Sequence, residues 1–219
     1  MANNYSVALE HLHSYNINVA TREIFLHSYL TQSSEEEGGV EYKMATTFIK
    51  NLSLLNLISQ KDILVHIHTI GGDWHDGMAI FNALEFSKSK VSMLGYASVS
   101  SMSSIILQAA HTRILTPDAE FMIHWGSMAV EGHSLCVESS AEQNKRSNNR
   151  MLSIYAEKCI DGKFFEGYSL SRVKNYIRKK INSLGDWWMT AEEAVDYGFA
   201  DAVLGKTQNY EKIECLKEN

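Results

Sequence analysis

The hydrophobic and polar positions of the chain predict strands that alternate with helices. Residues 22–29 and 62–69 are short runs with apolar centres, typical of buried strands. Residues 40–58 carry apolar side chains three or four positions apart, as on one face of a helix, and residues 78–86 also read as a helix. β-Branched and aromatic residues at 91–96 predict a further strand. Repeated strand–helix units with short connections indicate an α/β fold with mostly parallel pairing.

A cluster of serines follows the predicted strand 91–96. Its members are Ser98, Ser100, Ser101, Ser103 and Ser104. Apolar residues recur at helical spacing from Met102 onward, so we expect a helix to begin there. The N–H groups at a helix N-terminus are unpaired and favour negative charge, which suits an exposed serine nucleophile. The cluster is also compatible with N-caps and small packing residues, the more frequent situation.

The second half of the chain is more polar. Residues 137–160 predict a long exposed helix, and residues 170–181 predict another. The capping box at 190–193 begins a helix that stops near Gly198. We expect the polar tail, residues 206–219, to fray.

Composition and charge narrow the functional classes. A chain of 219 residues, 45% hydrophobic and 21% charged, suits a globular protein of one large or two small domains. Its formal net charge of −6 argues against a nucleic-acid binder. Three widely spaced cysteines without a C-x-x-C pair predict free thiols in a reducing compartment. With no visible secretory signal and no apolar run near the ~20 residues of a membrane span, we expect a cytoplasmic protein.

Several polar residues could support a serine nucleophile. Such a nucleophile needs a base within hydrogen-bond reach and a third group that orients the base. His124 closes an apolar strand, and Asp186 precedes Trp187, whose ring could partly bury the carboxylate. Gly71 and Gly72 allow backbone N–H groups to approach a substrate carbonyl closely. None of these features is specific alone: a histidine at a strand end is more often a surface or core residue, and an aspartate before aromatic residues is more often an N-cap.

A metal site has little support in the sequence. His66 and His68 lie two apart on one predicted strand, but no third ligand accompanies them. We predict neither a metal nor an organic cofactor. The pair Trp187 and Trp188 is interpreted as core packing.

Four blocks of the sequence resemble the proteolytic subunit of Clp protease. In order they read I-H-T-I-G-G-D-W-H-D-G, S-S-M-S-S-I-I-L-Q-A-A, F-M-I-H and D-W-W-M-T-A-E-E-A. The ordered set is specific, although each block alone is weak. The resemblance implies a Clp/crotonase-like α/β spiral of strand–strand–helix units with a protruding handle helix. It further implies an N-terminal segment (1–21), one peptidase domain (22–205, with the handle at about 130–184) and a C-terminal tail.

The same resemblance assigns catalytic roles. Ser101 falls on the nucleophile of the family, because it alone among the clustered serines precedes a methionine. His124 falls on the general base and Asp186 on the carboxylate that orients it. The backbone N–H groups of Gly72 and Met102 fall on the oxyanion hole.

Substrate contacts are implied at Gly71, Trp125 and Gly126. The chain departs from the family pattern at Trp125 and Gly126 and also just before Gly71. The family has S-P-G-G where this chain has T-I-G-G, and Gln-Pro where it has Trp125-Gly126. We therefore expect a substrate groove of altered shape.

The function implied is that of a serine endopeptidase acting on short or unfolded polypeptides inside an oligomeric chamber. The family assembles as a heptameric ring or a stacked pair of rings and works with an ATP-driven unfoldase. Two alternatives stay open at this point. A crotonase-like acyl-CoA enzyme would share the spiral and the pair of oxyanion N–H groups, and a non-catalytic ring subunit would share the fold alone.

Overall fold

The computed structural model describes residues 2–27 and 39–213, with side chains from residue 6 onward. Its α-helices are α1 (Ala2–Tyr15), α2 (Tyr42–Ile58), α3 (Trp74–Glu85), α4 (Met102–Leu107), α5 (Ser134–Cys159), α6 (Leu170–Leu184) and α7 (Ala191–Tyr197). Its strands are β1 (Ile17–Asn18), β2 (Glu23–His27), β3 (Ile63–Thr69), β4 (Val91–Ser100), β5 (Thr112–Leu115), β6 (Glu120–Ile123), β7 (Trp187–Thr190) and β8 (Ala202–Val203). A short 3-10 turn, Lys163–Phe165, separates α5 from α6.

One mostly parallel sheet contains all eight strands. Its main path runs β1-β2-β3-β4-β5-β8, while β6 pairs with β4 and with β7. Only the β1–β2 and β6–β7 pairs are antiparallel among these strands. This arrangement confirms the predicted α/β class. The first half of β4 pairs with β5 and its second half with β6, so the serine run lies beside β6.

Helices α2 and α3 pack on the sheet through their apolar faces. Phe48, Leu55 and Ile80 are buried in the main core together with most of β3. Each helix begins at an acidic N-cap, Glu41 for α2 and Asp73 for α3, whose carboxylate accepts backbone N–H bonds of the first turn. Asp73 thus begins the helix directly after the Gly71-Gly72 pair.

Helix α5, with 26 residues, is the long helix of the predicted handle region. All of its buried side chains lie from Met151 onward, so its first half stands away from the core. Helix α6 returns beside it and buries Val173, Ile177 and Ile181. No helix in the described parts of the chain is long and apolar enough to cross a bilayer.

Three regions differ from the sequence expectations. Strand β4 continues to Ser100 rather than ending at residue 96, because its second half gains a partner in β6. The segment 1–21 contains α1 and contributes β1 to the sheet. In the tail, Tyr210 and Ile213 pack against a buried cluster instead of fraying, and residues 214–219 lie outside the described part. The end of the predicted strand 22–29 also lies outside it.

Candidate active site

Ser101 occupies a sharp turn between β4 and α4. Its φ of 55° lies in a region that non-glycine residues rarely adopt. The turn is fixed by hydrogen bonds on both sides: the Ser101 N–H donates to the Met122 carbonyl at 3.0 Å, and the Ser101 carbonyl accepts from the Ser104 hydroxyl at 2.7 Å. A residue held in such a conformation is characteristic of functional sites, where surrounding contacts offset the backbone strain.

The sheet register brings three polar side chains to one end of neighbouring strands. Strands β4 and β6 are parallel with Ser100 opposite Met122, so Ser101 leaves the sheet close to the end of β6. Strands β6 and β7 are antiparallel with Ile123 opposite Trp187. His124 directly follows β6 and Asp186 directly precedes β7, which places these two residues across from each other.

The resulting contacts form a continuous chain from hydroxyl to carboxylate. His124 Nε2 lies 2.7 Å from Ser101 Oγ. On the other side of the ring, His124 Nδ1 lies 3.3 Å from Asp186 Oδ1. The His124 side chain is 29% exposed and that of Asp186 54% exposed, so the carboxylate is open to water. The imidazole can accept the serine proton at Nε2 while Nδ1–H faces the carboxylate.

Gly72 and Met102, whose backbone N–H groups are the predicted oxyanion donors, line the same cavity as Ser101. Met102 is the first residue of α4, so its N–H has no acceptor within the helix. A Cβ on Gly71 would lie 2.7 Å from Ser101 Cβ and 2.8 Å from Met102 N, so only glycine fits there. Val40 donates to the Gly71 carbonyl and accepts from the Asp73 N–H, and within residues 39–213 no hydrogen bond engages the N–H of Gly72.

A cavity of about 470 Å³ opens next to Ser101. Its apolar lining includes Met102, Ile105 and Met151. Apart from Met151, the residues that α5 contributes are polar and uncharged: Ser140, Gln143, Asn144, Ser147 and Asn148. The cavity can therefore accept an extended chain or a side chain that combines apolar and hydrogen-bonding parts.

The three predicted substrate contacts occupy different places. Gly126 lines the cavity, and Gly71 lies behind Ser101. Trp125 instead extends toward α6, where its indole N–H donates to Asn182 Oδ1 at 2.9 Å.

Sequence reasoning missed several residues that support the site. Gly77 of α3 lies against the Met102 side chain, and Asn144 and Asn148 contact the backbone of Gly126. Tyr155 is fully buried with its hydroxyl 2.6 Å from Ser104 Oγ, and burial raises its pKa well above the usual value. The sequence offered one signal for these residues, the helical spacing of Asn144, Asn148 and Tyr155. That spacing does not reveal which groups they contact.

The remaining candidates have structural explanations. His66 is buried and stacks on Phe25, with ring centroids 4.5 Å apart. Within the described residues, no group of three or more histidine, cysteine, aspartate or glutamate side chains could hold a metal ion. Trp187 is buried as predicted, whereas Trp188 on the opposite face of β7 is 51% exposed.

Comparison with known proteins identifies the family. The family model described as Clp protease matches residues 29–207. The chain belongs to the Clp protease family. It is 31% identical over 169 residues to the ATP-dependent Clp protease proteolytic subunit 2 of Pseudomonas aeruginosa, a match that covers 76% of this chain and 78% of that protein. It is 30% identical over 172 residues to the proteolytic subunit of Streptococcus agalactiae, covering 76% of this chain and 81% of the relative.

Membership of the Clp protease family confirms the resemblance noted in the sequence. It also confirms the predicted enzyme class, a serine endopeptidase and hence a hydrolase. The crotonase-like and non-catalytic alternatives are not favoured.

Proposed function

We propose that Ser101, His124 and Asp186 form the catalytic triad with which this Clp-type peptidase hydrolyses peptide bonds. The observation that carries the proposal is the 2.7 Å contact between His124 Nε2 and Ser101 Oγ, completed by Asp186 at 3.3 Å from Nδ1. A nucleophile, a base within reach and an orienting carboxylate are the three groups that serine acyl transfer requires.

The reaction begins when Ser101 Oγ attacks the scissile carbonyl and passes its proton to His124 Nε2. Asp186 stabilises the imidazolium and holds Nδ1–H in place. The imidazolium then returns the proton to the leaving amine, and the acyl group stays on Ser101. A water molecule, deprotonated by His124, attacks the ester and releases the second product, which regenerates the serine hydroxyl.

The N–H groups of Gly72 and Met102 are proposed to bind the oxyanion of each tetrahedral intermediate. The close approach of Gly71 to Ser101 and the position of Met102 at the start of α4 support this assignment. In a known case, removal of one oxyanion donor lowers kcat by about 10²–10³.

Substrates are proposed to be short or unfolded polypeptides, with the backbone of Gly71, Trp125 and Gly126 near the bound chain. The cavity next to Ser101 supports this class, because its lining combines apolar side chains with mostly uncharged polar ones, as suits a peptide. No cofactor takes part in the proposed reaction.

A homo-oligomeric ring, heptameric or as a stacked pair, is the proposed working form. Its support is the names of the relatives, which are subunits of an ATP-dependent protease, and the exposed apolar side chains of this chain. Leu57 is 83% exposed and Phe86 85% exposed, values that a neighbouring subunit would reduce.

An ATP-driven unfoldase is the proposed partner. A cytoplasmic location is proposed as well, supported by the free thiols of Cys136 and Cys159.

The proposal is tested with a fluorogenic peptide, a fluorophosphonate probe and native mass. We expect Ser101→Ala to abolish cleavage and labelling while the protein keeps its fold, and Ser98→Ala to retain both. Labelling at a serine other than Ser101, or continued cleavage by Ser101→Ala, would remove Ser101 from its role. A monomeric native mass would contradict the ring independently of the triad.

A further inference from the structure

The backbone behind His124 lacks the support of the sheet. Strand β6 ends at Ile123, so His124 is the first residue beyond the ladder. The carboxylate of Asp186 is half exposed, and an ion pair open to water contributes little to holding a side chain in place. The direction of the imidazole therefore depends strongly on how the two residues after His124 are held.

Two asparagines of α5 bind both backbone polar groups of Gly126. Its N–H donates to Asn148 Oδ1 at 2.9 Å. Its carbonyl accepts from Asn144 Nδ2 at 3.3 Å. The two asparagines are four positions apart and so lie on one face of the helix.

The residue between His124 and Gly126 is held from the other helix. The Trp125 indole N–H donates to Asn182 Oδ1 of α6 at 2.9 Å. The segment after the base is thereby attached to both helices of the handle region, and α5 and α6 pack against each other.

We propose that Asn144 and Asn148 are positioning residues for the serine peptidase reaction. By fixing the Gly126 backbone they keep the His124 imidazole directed at Ser101 Oγ. This inference rests on the proposed triad. It gives a role in catalysis to polar residues on a helix face that would otherwise be explained by contact with solvent.

The two contacts differ in chemistry, and that difference makes the proposal testable. Asn148 acts as an acceptor, so a carboxylate at 148 can still accept the Gly126 N–H. Asn144 acts as a donor, so a carboxylate at 144 loses the bond and repels the Gly126 carbonyl. The substitutions Asn148→Asp and Asn144→Asp change the charge equally, one helical turn apart, with opposite expected results.

The experiment measures kcat and KM for a fluorogenic peptide, and the rate at which a small fluorophosphonate labels Ser101. We expect Asn144→Asp and Asn148→Ala each to lower kcat and the labelling rate by about fivefold or more, since small displacements of a catalytic group have large kinetic effects. Asn148→Asp is expected to lose less than about threefold, a rescue relative to the alanine variant. A merely structural role would reduce thermal stability without this split between the two aspartates.

Asn149→Asp serves as the charge control, because Asn149 is exposed and the side chains that bond the Gly126 backbone in the described structure are those of Asn144 and Asn148. If Asn144→Asp fails to fold, as thermal unfolding would show, Asn144→Ala takes its place and is expected to lose about fivefold. Equal losses in the two aspartate variants, or no loss in either, would overturn the positioning role. Absence of cleavage and labelling in the unsubstituted protein would instead count against the triad itself.

Discussion

Gly77 of α3 lies directly against the side chain of Met102, the residue that follows the proposed nucleophile. A Cβ on Gly77 would come within 2.2 Å of Met102 Cγ and 2.6 Å of its Sδ. Met102 is only 2% exposed and has little room to move away. The absence of a side chain at position 77 therefore leaves the space that the Met102 side chain fills.

We expect Gly77→Ala to lower both stability and kcat. Alanine normally favours a helix over glycine, so a loss of about 1–3 kcal/mol in the free energy of unfolding would report overpacking against Met102. A displaced Met102 N–H would weaken the oxyanion hole and lower kcat by about tenfold or more. Urea unfolding and peptide cleavage measure the two effects. Asn82→Ala, on the exposed face of the same helix, is the matched control, and a fully active Gly77→Ala enzyme would contradict the argument.

Asp186→Asn tests the orienting carboxylate. The substitution keeps the shape of the side chain but removes the charge that stabilises the His124 imidazolium. We expect kcat to fall by about 10²-fold, below the 10⁴ known for a buried triad aspartate, because the exposed Asp186 leaves room for water. Steady-state kinetics provide the measurement, with Asp196→Asn on α7 as a variant of equal charge change. Activity within twofold of the unsubstituted enzyme would show that Asp186 does not assist His124.

Much of this architecture is predictable from local pattern. Helices α2 and α3 follow from apolar spacing, and the three positions of the proposed triad follow from the resemblance of four ordered blocks. The proximity of His124 and Asp186 does not follow from any local pattern. It depends on the register of β6 against β7, in which Ile123 faces Trp187.

The errors have the same physical origin. Ser98 and Ser100 carry little strand propensity, yet they extend β4 because β6 supplies a pairing partner distant in sequence. Asn144 and Asn148 resemble a solvated helix face, and only the tertiary structure brings Gly126 to them. These features depend on contacts between residues that are distant in sequence, so the spacing of apolar and polar residues does not predict them.

Tyr155→Phe probes the buried network beneath Ser101. Ser104 Oγ lies 2.6 Å from the Tyr155 hydroxyl, 2.7 Å from the Ser101 carbonyl and 2.8 Å from the Met122 carbonyl. Removal of the phenol hydroxyl leaves Ser104 without one buried partner, and we expect a loss of about 1–2 kcal/mol in the free energy of unfolding. Denaturant titration measures it. Tyr42→Phe, at a site 72% exposed, should change stability far less; equal effects at the two sites would argue against the network.

Alkylation should distinguish the two free thiols within the described chain. Burial raises the pKa of Cys159 to about 12, and its side chain is 0% exposed, whereas Cys136 is partly exposed at the start of α5. Only the thiolate reacts, so at pH 8 we expect iodoacetamide to modify Cys136 in the native protein and to spare Cys159 until denaturant is added. Because the folded pKa is raised, the stabilisation from the protonated Cys159 thiol is complete below the unfolded pKa near 9 and is lost between that pH and about 12. Peptide mapping by mass spectrometry measures both sites in one sample, and rapid native modification of Cys159 would mean that α5 opens from the core far more often than its packing implies.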